Sequence, residues 1–261
     1  MIFQWLSNLP VAAGAPLFIG AVVALAVGGG ILFHRLVPND ALVEHNEIAG
    51  FVFAVVGVIY AVLLAFLAVG VWEHLQTAEA RTYEEAARLT VVYRKCDAFP
   101  EARSIRASLR AYVAEILNRD WPMMQHGQLD DRVVTMGEQI AAQIRHLPVR
   151  TPAEQNVHSS MIGSMDEALV DRDSREAISN TGLGGFLWAI LIAGAMLTIV
   201  FSYLFAYRNA WSLIAIVGLL SAMVGLVLYL VAAVDYPFRG EIRVGPEAFE
   251  HALAVFSAIG P

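Results

Sequence analysis

One cysteine, Cys96, and one lysine, Lys95, stand in a chain of 261 residues. A single cysteine excludes an intramolecular disulfide and a thiolate metal cluster. Charge of either sign is scarce: 16% of residues are charged, against about a quarter in an ordinary soluble domain. The balance of −7 leaves no basic excess for nucleic acid, so no nucleic-acid partner is expected. Neither H-E-x-x-H, G-x-x-x-x-G-K-[ST] nor G-x-S-x-G occurs, which leaves zinc proteolysis, P-loop chemistry and serine hydrolysis without their residues. No enzyme, cofactor or metal site is expected. No stretch alternates cleanly with period two, so no sheet is expected. The opening MIFQWLSNLP has no basic residue and does not read as a cleaved signal; Phe3 and Trp5 read as interfacial aromatics.

What is abundant is apolar: 57% hydrophobic residues and a mean hydropathy of +0.58. Four runs lack any charge and approach or exceed the roughly 20 residues that a membrane-spanning helix needs. They lie at about 16–36 (charge-free to Phe33), 48–72, 183–207 and 211–234. The chain then divides into an N-terminal membrane hairpin (1–72), a polar insert (73–182), a second membrane hairpin (183–234) and a C-terminal elbow and tail (235–261). Arginines near the span ends set orientation. Arg81, Arg88, Arg172, Arg175, Arg239 and Arg243 fall on the side of the insert and tails, and Arg35 and Arg208 on the other. This bias places both termini and the insert in the cytoplasm.

The insert reads as helices punctuated by Pro100, Pro122, Pro148 and Pro152. Ile105, Leu109, Tyr112 and Ile116 share one helical face. So do Val157, Met161, Met165, Ala168 and Leu169, and the shorter set Ile140, Ile144 and Leu147. No breaker follows the second span, so VWEHLQTAEARTYEEAARLTVVYRK continues its helix into the insert, as a plain stalk or as a mechanical link. Small residues form a stripe down the second span at Gly50, Ala54, Gly57, Ala61, Ala65 and Ala68. Shorter versions occur at Gly20, Ala24 and Gly28, and at Gly218, Ala222 and Gly225. Such stripes let helices approach closely; a second reading has the Gly50 stripe facing an axis shared by several subunits. No ionisable residue lies inside a span, which counts against a proton-coupled transporter and allows a hydrophobic constriction. Arg103, Arg106 and Arg110 form a basic stripe that is either a solvated face or an anion-gathering vestibule. Glu44, His45, Asn46 and Glu47, and likewise Glu73 with His74, could touch a metal but read first as polar caps.

After the last span comes DYPFRGEIRVGPEAF, in which Pro237 ends the helix and Gly240 permits a sharp turn. This elbow of Asp235, Pro237, Phe238 and Gly240 resembles that of the bestrophin family. NEIAGFVFAVVGVIYAVLLAFLAVGVWE and DRDSREAISNTGLGGFLWAILIAGAMLTIVFSYLF are similar to a bacterial family described as bestrophin-like. The resemblance covers Asn46 to Phe249. It implies an all-α membrane protein with four spans and a cytoplasmic helical bundle. It further implies a homo-oligomeric, pentameric ion channel of the bacterial inner membrane, with itself, the bilayer and small inorganic ions, anions first, as partners. The second span would line the neck through Asn46, Gly50, Ala54, Gly57, Val58 and Ala61. Bestrophin necks use bulkier side chains, so Phe53 and Tyr60 are the alternative pore-facing pair. The calcium clasp of animal members needs a run of acids; with only Asp235, Glu241 and Glu247 here, calcium is not expected. The rival reading is a non-conducting membrane sensor or scaffold whose bundle binds a protein.

Overall fold

The computed structural model describes residues 10–37, 42–43, 46–207 and 209–260. Phe3, Trp5, Glu44, His45 and Arg208 lie outside them. Among the described residues every regular element is helical: α1 (Val11–Leu36), α2 (Asn46–Lys95), α3 (Arg103–Glu115), α4 (Trp121–Gln125), α5 (Asp131–Arg145), α6 (Pro152–Ser179), α7 (Gly185–Ser202), α8 (Ala210–Val234) and α9 (Glu247–Ile259). Two 3₁₀ turns, Cys96–Ala98 and Pro100–Ala102, precede α3, and a π-helical turn, Ile116–Asp120, follows it. Four helices are long and apolar enough to cross a membrane: α1, α2, α7 and α8. The all-helical expectation holds, as does the unbroken second helix, which runs to Lys95. The chain forms two compact units, 1–73 with 182–235, and 74–181 with 236–261.

In the first unit α1 lies along α8. The small residues of the fourth span make this seam: a side chain at Gly225 would touch Val22 and Ile19, and one at Gly218 would touch Val27 and Val23. The first span uses different glycines from those expected. Gly20 and Gly28 face open space, whereas Gly29 and Gly30 lie under the ring of Tyr203. That ring is held because its hydroxyl donates to the Ala26 carbonyl at 2.6 Å. With Leu213, Val217 and Tyr207 it forms the core of this end of the unit. The third span is shorter than its apolar run. Its helix stops at Ser202, and the following turn folds Tyr203 and Tyr207 inward.

The second unit is a helical bundle with one large core. The apolar faces read from the sequence turn to this core: Ile105, Leu109, Tyr112 and Ile116 on α3 and its π turn, Ile140, Ile144 and Leu147 on and after α5, and Met161, Met165 and Ala168 on α6 are buried, while Val157 and Leu169 of the last face are half-buried against it. Real caps start two of these helices. Asp130 accepts from the Arg132 amide, and Thr151 from the Glu154 amide. The tail helix α9 docks through Phe256, which stacks on Tyr93 at 4.1 Å and 6°. Arg110 fixes this joint by donating to the Tyr93 hydroxyl and to the Phe256 carbonyl, each at 2.7 Å.

Inside that core sits an ion network. Arg175 of α6 donates through Nε to Glu85 of α2 at 2.8 Å and through Nη1 to Asp120 of the π turn at 3.2 Å. All three side chains are 0% exposed. The Trp121 and Phe249 rings each lie 5.5 Å from the Arg175 guanidinium. Arg172, one turn earlier, pairs with Glu176. Burial disfavours charge on Arg175, but Glu85 and Asp120 outweigh it and keep the guanidinium protonated. Removing one partner from such a cluster strands the others without water. Arg175→Met should therefore destabilise the second unit by about 3–5 kcal/mol, read as earlier loss of helical signal on heating or in denaturant. An unchanged transition would mean that the network adds nothing to packing.

Candidate functional site

The second span carries the candidate pore residues, and its two faces differ. One face is used inside the unit. Tyr60 is buried, and its hydroxyl donates to the Leu191 carbonyl of α7 at 3.0 Å. Gly194 makes room for it, since any side chain there would stand 2.5 Å from the tyrosine ring. Phe53 packs on Phe201 and Phe205, with centroids 5.8 and 5.4 Å apart. The alternative pair, Phe53 and Tyr60, therefore turns into the packing of its own chain, because α7 offers those rings an apolar wall and a carbonyl.

The other face is open. Ala54, Ala61 and Ala65 are exposed, Val58 is 63% exposed, and a side chain at Gly57 would meet no atom within 4 Å. Between Ala54 and Ala65 the stripe is thus no packing seam within the chain, unlike the one on α8, whereas Ala68 is half-buried. Its upper end is bounded by the turn after α7. The Asn46 side-chain carbonyl accepts from the Ala206 amide at 3.3 Å, and a side chain at Gly50 would stand 3.8 Å from Phe205. Around the stripe, Phe51, Ile59 and Phe66 are largely exposed. Glu47 and Glu73 bracket the apolar length.

The arginines expected to line a vestibule do not form a common surface. Arg103 is exposed, but Arg106 is buried, pairs with Asp97 at 2.5 Å and lies 5.1 Å above the Tyr93 ring. Arg110 belongs to the joint with α9. The helix period places them together; the aromatic pair Tyr93 and Phe256 draws two of the three inward. His74 donates to the Thr181 carbonyl at 3.0 Å. Among the described residues no group of three or more His, Cys, Asp or Glu side chains is placed to hold a metal.

The elbow residues do separate jobs. Asp235 accepts from the Leu183 amide at 2.5 Å and from the Trp188 indole at 3.1 Å, tying the end of α8 to the start of α7. Phe238 is buried with its ring edge-on to Trp121, 5.5 Å between centroids. The Val244 amide donates to the Pro237 carbonyl at 2.8 Å and closes the loop. Gly240 sits at φ 80°, a conformation that a β-branched residue adopts only at a cost of about 1–3 kcal/mol. Arg239 donates to Asn180 at 3.0 Å and lies over Gly127, where any side chain would collide with its guanidinium. Gly240→Val should lower the yield of folded, assembled protein on size-exclusion, whereas Gly57→Ala, set in open space, should not. Equal yields for both would reduce the elbow to an ordinary tail.

The family model described as Bestrophin-like domain matches residues 20–249. A crystal structure of a membrane protein variant superposes with a TM-score of 0.67 at 12% identity, covering 92% of this chain and 99% of its own. A variant of a bacterial bestrophin homologue from Klebsiella pneumoniae superposes with a TM-score of 0.66 at 10% identity, covering 91% and 98%. A second variant of that homologue gives 0.64 at 12% identity, covering 93% and 99%. Likeness at such identities concerns the fold alone. A search of curated proteins finds no match. With most of its length under the family model, this chain belongs to the bestrophin-like family.

Proposed function

We propose that this chain is one subunit of a homo-oligomeric, pentameric ion channel, with the open face of α2 turned toward the common axis. The observation that carries the reading is the unpacked small-residue stripe. A side chain at Gly57 would meet no atom within 4 Å, and its neighbours Ala54 and Ala61 are exposed, although small residues in a membrane helix normally mark a close approach. Copies arranged around an axis give the stripe a role, either as the wall of a narrow apolar neck or as the contact with the next copy. The charge-free run between Glu47 and Glu73 suits a constriction that gates by dewetting. Membership of the bestrophin-like family and the likeness to a bacterial bestrophin homologue support the channel class. Anion conduction follows from the bestrophin resemblance alone, since two of the three arginines that favoured it are committed to the α9 joint.

Reconstituted protein carrying Ala54→Leu or Gly57→Leu tests this directly. Both side chains would point away from the subunit's own packing, so the monomer fold should be unchanged. Normal assembly with reduced chloride flux is the expected result and marks a wall. Lost assembly with a folded monomer marks a contact between copies. Absence of any flux from the well-assembled parent protein, over anions, cations and voltages, would overturn the channel and favour a non-conducting scaffold.

We place both termini and residues 73–182 in the cytoplasm of a bacterium, with the spans in its inner membrane. Arg172 and Arg175 have a structural role in the buried network, so the orientation rests on Arg81, Arg88, Arg239 and Arg243 against Arg35 and Arg208. A cysteine at Glu47 should react with an impermeant thiol reagent added to intact cells, and one at Gln128 should not. The native Cys96 is buried, and burial pushes its thiol up to about 11, so it stays silent. The reverse labelling pattern would invert the topology.

A further inference from the structure

A slot opens between α2 and α8 at the Trp72 end of the second span. Val71, Val231 and Val234 form its floor, each at most 5% exposed, while Trp72 and Leu230 stand at its rim, about half exposed. Ala68, the last residue of the α2 stripe, lines it too, and no lining side chain is charged. The slot encloses about 220 Å³. Its place along the chain gives its depth. Trp72 closes the charge-free run 48–72 and Val234 closes α8; the acids Glu73 and Asp235 come next. The floor therefore lies just inside the hydrocarbon and the rim at the interface, the depth at which tryptophan collects in membrane proteins.

Water does not fill such a space, since a bound water needs two to four polar partners; an engineered cavity of about 150 Å³ with a similar apolar lining stays dry and takes up benzene. Left empty, the slot would deprive its lining of dispersion contacts. Its one polar side-chain group is the Trp72 indole N–H. Among the described residues that N–H has no acceptor, whereas the Trp188 indole of the same unit donates to Asp235 at 3.1 Å. Hydrocarbon on the floor and an oxygen acceptor at the rim is the layout of a membrane lipid.

We propose that the slot binds one acyl chain of a phospholipid from the leaflet on the insert side, with the Trp72 indole donating to an ester or phosphate oxygen of the same molecule. An apolar side chain from a second copy would fill the space but leave the indole N–H unanswered. Ala68 belongs to both features, so the bound chain touches the end of the α2 stripe. The site needs no conduction and would serve a channel or a scaffold alike.

The test uses the full chain in detergent and a phosphatidylglycerol with a diazirine near the end of one acyl chain. No ion flux is measured, so failure here leaves the channel reading standing. On illumination, labelling of 68–72 and 230–234 should saturate and be displaced by unlabelled phosphatidylglycerol. Labelling at Phe186 and Leu197, both exposed on α7, should instead rise in proportion to the lipid added. Trp72→Phe keeps a ring and removes the N–H; it should weaken slot labelling about fivefold, the worth of one hydrogen bond. Leu230→Trp, at a half-exposed position, should block the slot and leave Phe186 and Leu197 unchanged. If Leu230→Trp does not fold, saturation in the parent and the shift in Trp72→Phe still decide. Slot labelling that never saturates, equal affinity in Trp72→Phe, or displacement by a free fatty acid as readily as by phospholipid would each overturn the proposal. So would slot labelling confined to dissociated monomers, which would make a second copy the occupant.

Discussion

The guanidinium of Arg175 has no exposed surface, and helices far apart in sequence converge on it. Glu85 reaches it from α2 and Asp120 from the π turn; Phe249 from α9 and Trp121 lie against its faces. A charge in such a place tolerates little displacement, because each partner that moves away leaves an ion in an apolar medium. The surrounding apolar core could be repacked in several ways at small cost. The ion cluster cannot, so it selects one arrangement of α2, α6 and α9. The π-helical turn fits this role. The extra residue in Ile116–Asp120 shifts the face that the chain presents at Asp120 relative to an uninterrupted α-helix.

The membrane unit is organised by a different solvent. Lipid tails are as apolar as leucine side chains, so burying apolar area gives little drive for helices to associate, and close backbone approach with interhelical hydrogen bonds takes over. Gly29 and Gly30 beneath Tyr203, Gly194 beneath Tyr60, and Gly225 against Ile19 are three uses of that device. In two of them a tyrosine hydroxyl donates to a helical carbonyl on a neighbouring helix. The middle of the α2 stripe, Ala54 to Ala65, departs from this use, as do Gly20 and Gly28 on α1. On α2, Ala54, Gly57, Ala61 and Ala65 carry the low steric profile of a seam, yet the three alanines are exposed and a side chain at Gly57 would meet open space.

The elbow shows how a short sequence serves two units. Asp235 caps the chain ahead of α7, where the Leu183 amide and the Trp188 indole would otherwise lack an acceptor in an apolar setting. Three residues later Phe238 is buried against Trp121, next to the ring that covers Arg175. Gly240 then supplies the positive φ that lets the chain turn into the segment leading to α9.

Length, the four apolar runs, the unbroken second helix and the apolar faces of the insert followed from sequence, because each depends on local composition and on a helical period that neighbours do not alter. The elbow's positive φ was legible for the same reason: glycine after a helix-ending proline has few other uses. The direction of each small-residue stripe was not legible, since the same spacing on α2 and α8 faces nothing in one case and α1 in the other. Arg106 and Arg110 read as a solvated stripe, and only the stacking of Tyr93 on Phe256, residues on α2 and on α9, turned them inward. The ion network left a trace that periodicity alone could have flagged. Met161, Met165, Ala168, Arg172, Arg175 and Ser179 continue one buried face, as do Ala78, Thr82, Glu85, Leu89 and Val92. A charge on such a face signals burial, but its partner is chosen by helix packing, which brings residues as far apart as Glu85 and Arg175 within 2.8 Å. Sequence determined which segments are helices and which side of each is apolar; tertiary structure alone decided which polar groups on those sides would meet.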